Sequence, residues 1–306
     1  MKKVTIGVVG SSGFLGKNLL SFLKSQNYKV IEINRKQNSS NNALIIPETC
    51  KEDFWRDVLN NIDVLVCVAG YAHQSQSNEY KNRLQYENAN HKLINEISSA
   101  AISTKLQRII FISSASVYGK TPAGIAIDET FQTVPISLYG STKLKGEQSL
   151  KNNLKGSSVD YVILRPVMIC GKNAPGNLGA VNRLLKMHFP LPVASLTKNK
   201  RSFVDIGSVC SLIEICIFHT GAANETFNVS NKSYISSFDF FRYVRSIENS
   251  KSIYFWFPRS ILRWLVRWML DEKAVESLFG DVMICSQKAE IGLGWSSQTK
   301  LKYEVS

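Results

Sequence analysis

The fold is decided near the start of the chain, by the stretch Val4-Thr5-Ile6-Gly7-Val8-Val9-Gly10-Ser11-Ser12-Gly13-Phe14-Leu15-Gly16. Its first six residues are mostly β-branched, which predicts a short strand. After Gly13, the side chains of Leu15, Leu19 and Leu23 fall on one face of a helix. Glycines between a strand and a helix permit a tight turn and let the backbone approach a phosphate, and the helix N-terminus offers free N–H groups to that anion. The stretch therefore predicts a phosphate-binding turn between a first strand and a first helix.

The alternation of strand and helix patterns continues to about residue 165. Strand patterns cover residues 29–33, 64–68, 108–112 and 161–164, and helix patterns cover residues 53–59, 83–101 and 139–155. Strands that alternate with helices are joined by crossovers, and crossovers connect parallel strands. We therefore expect an α/β fold: a doubly wound parallel sheet with helices on both faces and its ligand at the carboxyl ends of the strands.

The pattern changes after Arg165-Pro166. A segment rich in Gly, Pro and Asn, residues 171–179, leads into a helix pattern at 180–187, and one more strand pattern follows at 227–229. We therefore assign residues 1–166 to a dinucleotide-binding domain and residues 167–306 mainly to a smaller substrate domain. The late strand predicts a return to the first domain's sheet around residues 203–230.

The composition excludes several classes of protein. Hydrophobic residues make up 44% and charged residues 20% of the 306 residues, unlike a disordered, collagenous or coiled-coil chain. Lys and Arg number 37 against 24 Asp and Glu, and the formal net charge of +13 suits an anionic partner such as a nucleotide, a nucleic acid or an acidic membrane surface. The basic residues are spread out and form no known nucleic-acid module, so no nucleic-acid partner is expected.

The cysteines and histidines indicate reduced thiols and no metal site. The six cysteines are scattered without a C-x-x-C pair, and the four histidines lack metal-ligand spacing. The sequence also has no apolar run of about 18 residues, the minimum for a spanning helix. We therefore expect a cytoplasmic protein without a structural metal.

The end of the second predicted strand bears on the choice of cofactor. A dinucleotide-binding fold usually presents an acidic side chain to the adenosine ribose there, whereas this chain has Asn34-Arg35. An amide can bond a ribose hydroxyl, and a neighbouring arginine can pair with a 2′-phosphate. The sequence therefore favours NADP(H) slightly over NAD(H) and leaves both open.

Three polar side chains form a candidate catalytic group. Tyr139 and Lys143 are four residues apart on a predicted helix and therefore face the same way. A nearby cation lowers the pKa of a tyrosine toward the range useful for proton transfer. Ser113-Ser114 follows the strand pattern at 108–112, at the edge where the fold places its ligand.

With these motifs in order, the sequence resembles the extended short-chain dehydrogenase/reductases, the nucleotide-sugar epimerase/dehydratase family, whose dinucleotide-binding domain is a Rossmann fold. The matching segments cover nearly the whole chain and are Gly10 to Gly16, Val68-Ala69-Gly70, Asn88, Ser113-Ser114-Ala115-Ser116-Val117-Tyr118-Gly119, Tyr139-Gly140-Ser141-Thr142-Lys143, Leu164-Arg165-Pro166, Arg201-Ser202-Phe203-Val204 and Gly292-Leu293-Gly294-Trp295.

The resemblance implies a role for each matching residue. Tyr139 would be the acid/base, Lys143 would tune it and hold the nicotinamide ribose, and Ser114 would hold the reacting hydroxyl or carbonyl. Asn177 and Arg201 would contact the diphosphate of the nucleotide sugar. The implied cofactor-binding residues are Gly10, Ser12, Gly13, Phe14, Leu15, Gly16, Asn34, Arg35, Ala69, Gly70, Tyr139, Lys143 and Pro166.

The resemblance leaves two reactions open. The segments Phe189-Pro190-Leu191-Pro192 and Ser277-Leu278-Phe279-Gly280 look like bacterial 4-ketoreductases, which reduce the C4 keto group of a UDP-4-keto-6-deoxy-HexNAc for surface polysaccharides. We expect this reaction, with a UDP-sugar as partner. The alternative is a UDP-hexose or UDP-HexNAc 4-epimerase with bound NAD, which would use the same catalytic residues. The resemblance also implies either a homodimer or a monomer.

A basic, tryptophan-rich segment at residues 258–270 has two interpretations. Arg259, Arg263 and Arg267 repeat every four residues, and apolar side chains occupy most positions between them. Such a helix can lie in a membrane interface. It can equally pack within the substrate domain, with the arginine stems covering apolar surface, and this second interpretation is the favoured one.

Overall fold

The structure is a computed structural model that describes residues 4–36, 43–48, 51–72, 79–188, 190–269 and 272–297. The strands are β1 (Thr5–Val9), β2 (Lys29–Asn34), β3 (Leu44–Ile45), β4 (Val64–Cys67), β5 (Arg108–Ile112), β6 (Asp160–Pro166), β7 (Met168–Cys170), β8 (Phe203–Asp205) and β9 (Glu225–Val229). The helices are α1 (Phe14–Ser25), α2 (Lys51–Asn60), α3 (Glu79–Glu87), α4 (Leu93–Ala101), α5 (Leu138–Leu154), α6 (Gly176–Lys186), α7 (Ile206–Phe218), α8 (Ser237–Ile247), α9 (Arg259–Met269), α10 (Glu272–Phe279) and α11 (Gln287–Leu293).

Seven strands form one parallel sheet in the order β3-β2-β1-β4-β5-β6-β9, which confirms the predicted doubly wound α/β fold. The chain moves outward from β1 in one direction through β2 and β3, and in the other through β4, β5 and β6. The carboxyl ends of β1 and β4 therefore flank a crevice at the point where the direction reverses, and such a crevice is where these folds bind ligands.

Both faces of the sheet are buried. In β1, Ile6 and Val8 pack in one cluster with α1 and α7, while Val9 belongs to a second cluster with Trp55 of α2. Because successive strand residues point to opposite faces, a run of apolar residues on β1 supplies both cores at once. The β-branched run at the start of the chain thus fixes β1 in the middle of the sheet.

The helix predicted over residues 83–101 is interrupted. The described chain is helical from Glu79 but contains a π-helical turn at Asn88–Lys92 between α3 and α4. A π-helical turn adds a residue to the turn, and such turns are frequent at functional sites. Here it buries Asn90 completely, beside the sheet's carboxyl edge.

The later part of the chain builds a third core. Side chains of β7, β8, α6, α8, α9 and α10 pack in one cluster, separate from the two clusters of the large sheet. Between these elements the chain returns to the large sheet, where β9 pairs in parallel with β6. The domain boundary at residue 166 stays a prediction.

Candidate active site

The glycine turn packs tightly against the loop after β4. Gly10 has a φ of +85°, and a Cβ at this position would lie 2.6 Å from the Cα of Ala69. A Cβ on Gly16 would overlap the carbonyl oxygen of Gly10, so α1 can begin directly beside the turn only with glycine there. Gly13, by contrast, would place a Cβ 3.5 Å from the nearest atom, on the open side of the turn.

Asn34 fastens this turn to β2. Its side chain is buried, Nδ2 donates to the Ser11 hydroxyl over 2.8 Å, and Oδ1 accepts from the backbone N–H of Ser12 over 3.2 Å. The Asn34 amide thus holds the turn to β2 while it also lines the cleft, and its role at a ribose hydroxyl stays a prediction. Arg35 and Lys36, which follow it, are exposed.

A cleft of about 480 Å³ runs from the glycine turn across the carboxyl ends of β1, β2 and β4. Its walls bring together seven of the predicted cofactor residues: Gly10, Ser12, Gly13, Asn34, Arg35, Ala69 and Gly70. Leu15 and Gly16 are buried in α1, and Phe14 packs against the third core. These three residues form the start of α1 and lie behind the residues that line the cleft. Pro166 is buried at the last position of β6.

Tyr139 lies in the first turn of helix α5, so the start of this helix positions its side chain. The Ser137 hydroxyl caps it by accepting from the N–H of Gly140 over 3.0 Å. A Cβ on Gly140 would overlap the carbonyl oxygen of Ser116, so glycine lets the first turn of α5 press against the short 3₁₀ turn Ala115–Tyr118. This close packing places the Ser114 side chain near the Tyr139 phenol.

Lys143 lies beneath the cleft floor. Its side chain is buried, and Nζ donates to the carbonyl oxygen of Ile112 over 2.8 Å and, more weakly, to that of Ala69 over 3.4 Å. A Cβ on Gly70 would come within 3.1 Å of this Nζ, so the ammonium sits directly under the lining residue Gly70. Burial lowers the pKa of Lys143 to about 8, since a charged amine is disfavoured away from water.

The pKa of Tyr139 shifts in the direction opposite to the one expected from its spacing to Lys143. Burial raises this pKa above the ordinary value, the hydrogen bond with Ser114 lowers it in part, and the neighbouring Tyr86 raises it further. The ammonium of Lys143 is directed to the backbone carbonyl of Ile112 instead of the phenol. The four-residue spacing predicted a shared helix face correctly but not a lowered pKa.

The two adjacent serines have different tasks. Ser113 is buried and donates a 2.5 Å hydrogen bond to Glu147, which also receives two hydrogen bonds from Arg165, at 3.0 and 2.6 Å. Arg165 in turn donates to the hydroxyl of Tyr118 over 3.0 Å. Ser113 therefore supports the frame behind the site, and Ser114 is the serine that reaches Tyr139.

Sequence reasoning missed Asn90. Its Nδ2 donates to the backbone carbonyl of Tyr71 and to the hydroxyl of Thr142, both over 3.1 Å, and its Oδ1 accepts from the N–H of Tyr71 over 2.9 Å. It thereby ties the loop after β4 to α5, close to Lys143. Asn88, which carried the resemblance, is exposed. The sequence signals only that two asparagines, Asn88 and Asn90, stand two residues apart. The π-helical turn determines that Asn90 is the one that points inward.

The two residues expected at the sugar diphosphate lie in the later part of the chain. Arg201 is buried, its backbone pairs with Ile235, and burial lowers the pKa of its guanidinium to about 10, with Asp281 acting in the opposite direction. Asn177 lies in the first turn of α6, and its side chain falls outside the part described. Their roles at the substrate stay predictions.

The described residues contain neither a cluster of metal ligands nor a membrane-spanning helix. Within the described ranges, no three His, Cys, Asp or Glu side chains come together as ligands for a metal ion. None of the helices described there has both the length and the apolar character needed to cross a bilayer.

Comparison with known proteins gives a family match and several relatives. The model of the NAD dependent epimerase/dehydratase family matches residues 6–230. A UDP-glucose 4-epimerase of Vibrio cholerae is 31% identical over 242 residues, covering 78% of this chain and 74% of that protein. A UDP-glucose 4-epimerase of Mycoplasma genitalium is 30% identical over 200 residues, covering 60% of this chain and 58% of that protein.

Solved structures with the same fold include two epimerases. A UDP-glucuronic acid 4-epimerase from Bacillus cereus in complex with NAD has a TM-score of 0.74 and 20% identity, covering 97% of this chain and 95% of that chain. A UDP-glucose 4-epimerase from Thermotoga maritima with UDP-glucose has a TM-score of 0.74 and 18% identity, covering 98% and 95% of the two chains.

Proposed function

Because this chain belongs to the NAD dependent epimerase/dehydratase family, we propose that it is a nucleotide-sugar 4-epimerase acting on a UDP-hexose or UDP-HexNAc with bound NAD. The observation that supports the proposal is the position of Lys143 directly beneath Gly70, which lines the cleft, on the same helix face as Tyr139. The 4-epimerase of Vibrio cholerae, which is similar over most of both chains, favours this reaction over the 4-ketoreductase expected from the sequence.

The cleft fits a dinucleotide. Gly13 leaves open space beside the N-terminus of α1, where backbone N–H groups and the helix dipole favour a pyrophosphate. Ala69 and Gly70 would line the path from the turn toward Lys143, and Arg35 would lie at the adenosine end. When bound there, the nicotinamide supplies a hydride acceptor and donor for C4 of the sugar.

The protein's own groups would handle the proton on O4. Tyr139 would take it and return it, and Ser114 would hold O4 by a hydrogen bond in both stages. Tyr139 must be deprotonated to take the proton and protonated to return it, and because burial raises its pKa, the protonated phenol is the favoured state before the cofactor binds. Lys143 would orient the cofactor ribose from beneath Gly70, since its ammonium is fixed there by the carbonyl oxygen of Ile112.

One feature favours a second candidate, the 4-ketoreductase. Arg35 and Lys36 are both exposed at the adenosine end of the cleft, where two cations suit the 2′-phosphate of NADP(H). A reductase that consumes NADPH in making a surface-polysaccharide sugar would use the same Tyr139, Lys143 and Ser114. What separates the two functions is whether the cofactor is consumed.

The test follows the cofactor and the sugar separately. Purified protein is incubated with UDP-glucose or UDP-N-acetylglucosamine without added reductant, and the C4 epimer is quantified by chromatography. We expect interconversion that Tyr139→Phe reduces by about 10²–10⁴-fold, as the loss of an acid/base group does. Tyr161→Phe serves as the matched control, because it removes a tyrosine hydroxyl at the amino end of β6, away from the carboxyl edge of the sheet where the cleft lies.

If no epimer forms, but UDP-4-keto-6-deoxy-N-acetylglucosamine oxidises NADPH stoichiometrically and Tyr139→Phe abolishes the oxidation, the protein is the reductase. Activity retained in Tyr139→Phe on both substrates would contradict the proposed site itself.

A further inference from the structure

Three of the five tryptophans lie on the surface. Trp256, Trp264 and Trp268 expose 69%, 62% and 73% of their area, whereas Trp55 and Trp295 are fully buried. Ile261, on the same helix as two of them, is 47% exposed. We call Ile261, Trp264 and Trp268, which share helix α9, the tryptophan patch. Large apolar side chains exposed together on a folded protein usually mark a surface that binds something.

Helix α9 already uses another face to pack. Leu262 is buried, Val266 packs against the third core, and Arg259 lies over the ring of Phe279 on α10. The favoured interpretation of this segment, a helix packed within its domain, therefore describes only that face.

The opposite face of α9 carries the patch. Positions 261, 264 and 268 are spaced by three and four residues, so they lie together on one side of the helix. The rings of Trp264 and Trp268 stack with their centroids 6.3 Å apart and an angle of 4° between their planes. The stacked pair forms one continuous apolar ridge that points away from the packed face.

The charged residues of the segment that carries the patch are basic, and Asp271 and Glu272 follow directly after it. Residues 251–270 contain Lys251, Arg259, Arg263 and Arg267 and no Asp or Glu. Arg263 and Arg267 are exposed and stand one turn apart beside the ridge. In a symmetric dimer centred on the stacked tryptophans, each copy would bring its exposed Arg263 toward the Arg263 of the other, and like charges repel. The surface therefore fits an anionic partner better than a second copy of itself.

We propose that the tryptophan patch binds the surface of a bilayer that contains anionic lipids. Tryptophan is favoured at membrane interfaces because its ring is apolar and its N–H is polar, and a helix with an apolar ridge beside arginines lies in that interface. Single-stranded nucleic acid would also use aromatic rings and cations. A nucleic-acid base cannot stack on Ile261, however, nor on the ring faces that Trp264 and Trp268 turn toward each other. Lipid is therefore the occupant that contacts the whole patch.

The experiment is vesicle flotation with the full chain, using vesicles of phosphatidylcholine alone and vesicles with about 30% phosphatidylglycerol. We expect binding to the anionic vesicles, weakened by salt because part of the attraction is electrostatic. The double variant Trp264→Ser with Trp268→Ser should reduce the partition coefficient about tenfold or more, as loss of buried aromatic area does. Arg263→Gln should reduce the preference for anionic over neutral vesicles.

A matched control removes an exposed apolar side chain elsewhere. Ile291 on α11 is 77% exposed, and Ile291→Ser should leave flotation unchanged. Circular dichroism of each variant checks that the fold is retained. Lipids with brominated acyl chains should quench tryptophan fluorescence in the native chain and less in the double variant, in which Trp55 and Trp295 are buried and Trp256 is exposed outside the patch.

Three outcomes would overturn the proposal. They are the absence of flotation with anionic vesicles, flotation that the double variant retains in full, and displacement of the protein from vesicles by single-stranded RNA with tighter binding to that RNA. A dimer in analytical ultracentrifugation that the double variant dissociates, without vesicle binding, would assign the patch to a second copy instead. The proposal does not depend on the reaction catalysed, so it stands or fails separately from the proposed function.

Discussion

Gly10 and Gly13 belong to one turn but have different surroundings, and this difference can be tested by adding a single methyl group to each. Gly10→Ala would place a Cβ 2.6 Å from the Cα of Ala69 at a φ of +85°, whereas Gly13→Ala would meet its nearest atom at 3.5 Å with a φ of −74°. We expect Gly10→Ala to lose about 1–3 kcal/mol of unfolding free energy. Gly13→Ala should stay within about 0.5 kcal/mol of the native chain.

Urea unfolding followed by circular dichroism measures both variants of the turn. Equal stability of the two would contradict the close packing of Gly10 on Ala69. Loss of cofactor binding in Gly13→Ala without loss of stability would be consistent with a pyrophosphate beside that open position.

Lys143 links the site to the pH dependence of stability. Its pKa is lowered by burial from 10.5 to about 8, so the folded protein releases this proton before the unfolded chain does. Between these two pH values the unfolded state binds more protons, and stability rises with pH as a result. The stability cost of burying the charged Lys143 is thus absent above pH 10.5. It grows as the pH falls and reaches its full size at about pH 8.

The measurement compares the native chain with Lys143→Met, in which the neutral side chain cannot titrate. The difference in unfolding free energy between them should shift in favour of the native chain by up to about 3 kcal/mol across that interval. Taking the difference cancels groups that do not interact with Lys143. Cys67, whose pKa is raised by burial to about 11, does interact with its charge and is therefore replaced by Ala in both chains. A difference that does not change with pH would contradict the burial of a charged ammonium at this position.

Among the elements, α5 joins the site to the frame behind it. Tyr139, Lys143 and Glu147 follow at intervals of four residues on one face, and Glu147 forms a buried ion pair with Arg165 of β6 at 2.6 Å. We expect Glu147→Gln to cost about 3–5 kcal/mol, because it leaves the buried guanidinium without its counter-charge. Adding Arg165→Met to that variant should restore part of the loss.

A double-mutant cycle on these two residues measures their coupling. An additive cycle, with the double variant as unstable as the sum of the single ones, would contradict the ion pair as the link between α5 and β6. The exposed pair Arg56–Glu52 on α2 is the control, since surface pairs contribute only about 0–1 kcal/mol.

At this scale the sequence predicts elements better than the contacts between them. The spacing of Tyr139 and Lys143 places them on one face whatever surrounds the helix, so that expectation needed only helical geometry. The inward direction of Asn90 depends on the π-helical turn Asn88–Lys92, which no apolar spacing signals. The engagement of Asn34 with Ser11 and Ser12 likewise depends on how the turn folds back onto β2.

For the whole molecule, the sheet could be predicted because each strand carries its own signal and crossovers permit few orders. The exposed tryptophans could not. The apolar residues of α9 form an arc wider than one contact face, so its pattern does not say which part of that arc packs within the domain and which part, with Trp264 and Trp268, stays at the surface. That choice is made by the shape of the third core, which assembles from segments distant in sequence.

Binding of the cofactor should be measurable as stability of the whole chain. The cleft is lined by the glycine turn, the end of β2 and the loop after β4, segments that meet only in the folded state. A ligand that binds only this state raises the unfolding free energy, by about 3 kcal/mol at a hundredfold excess over its dissociation constant. We expect NAD to raise the melting temperature, and to raise it more than NADP at equal concentration.

Arg35→Ala tests the adenosine end of the cleft. Since Arg35 is exposed, its removal should leave the stability of the free protein and the effect of NAD nearly unchanged. If NADP instead stabilises the native chain more than NAD does, and Arg35→Ala abolishes the difference, then Arg35 pairs with a 2′-phosphate. In that case an NADPH-consuming reductase becomes the better assignment, because an epimerase regenerates its cofactor in every turnover and has no need of the NADPH pool.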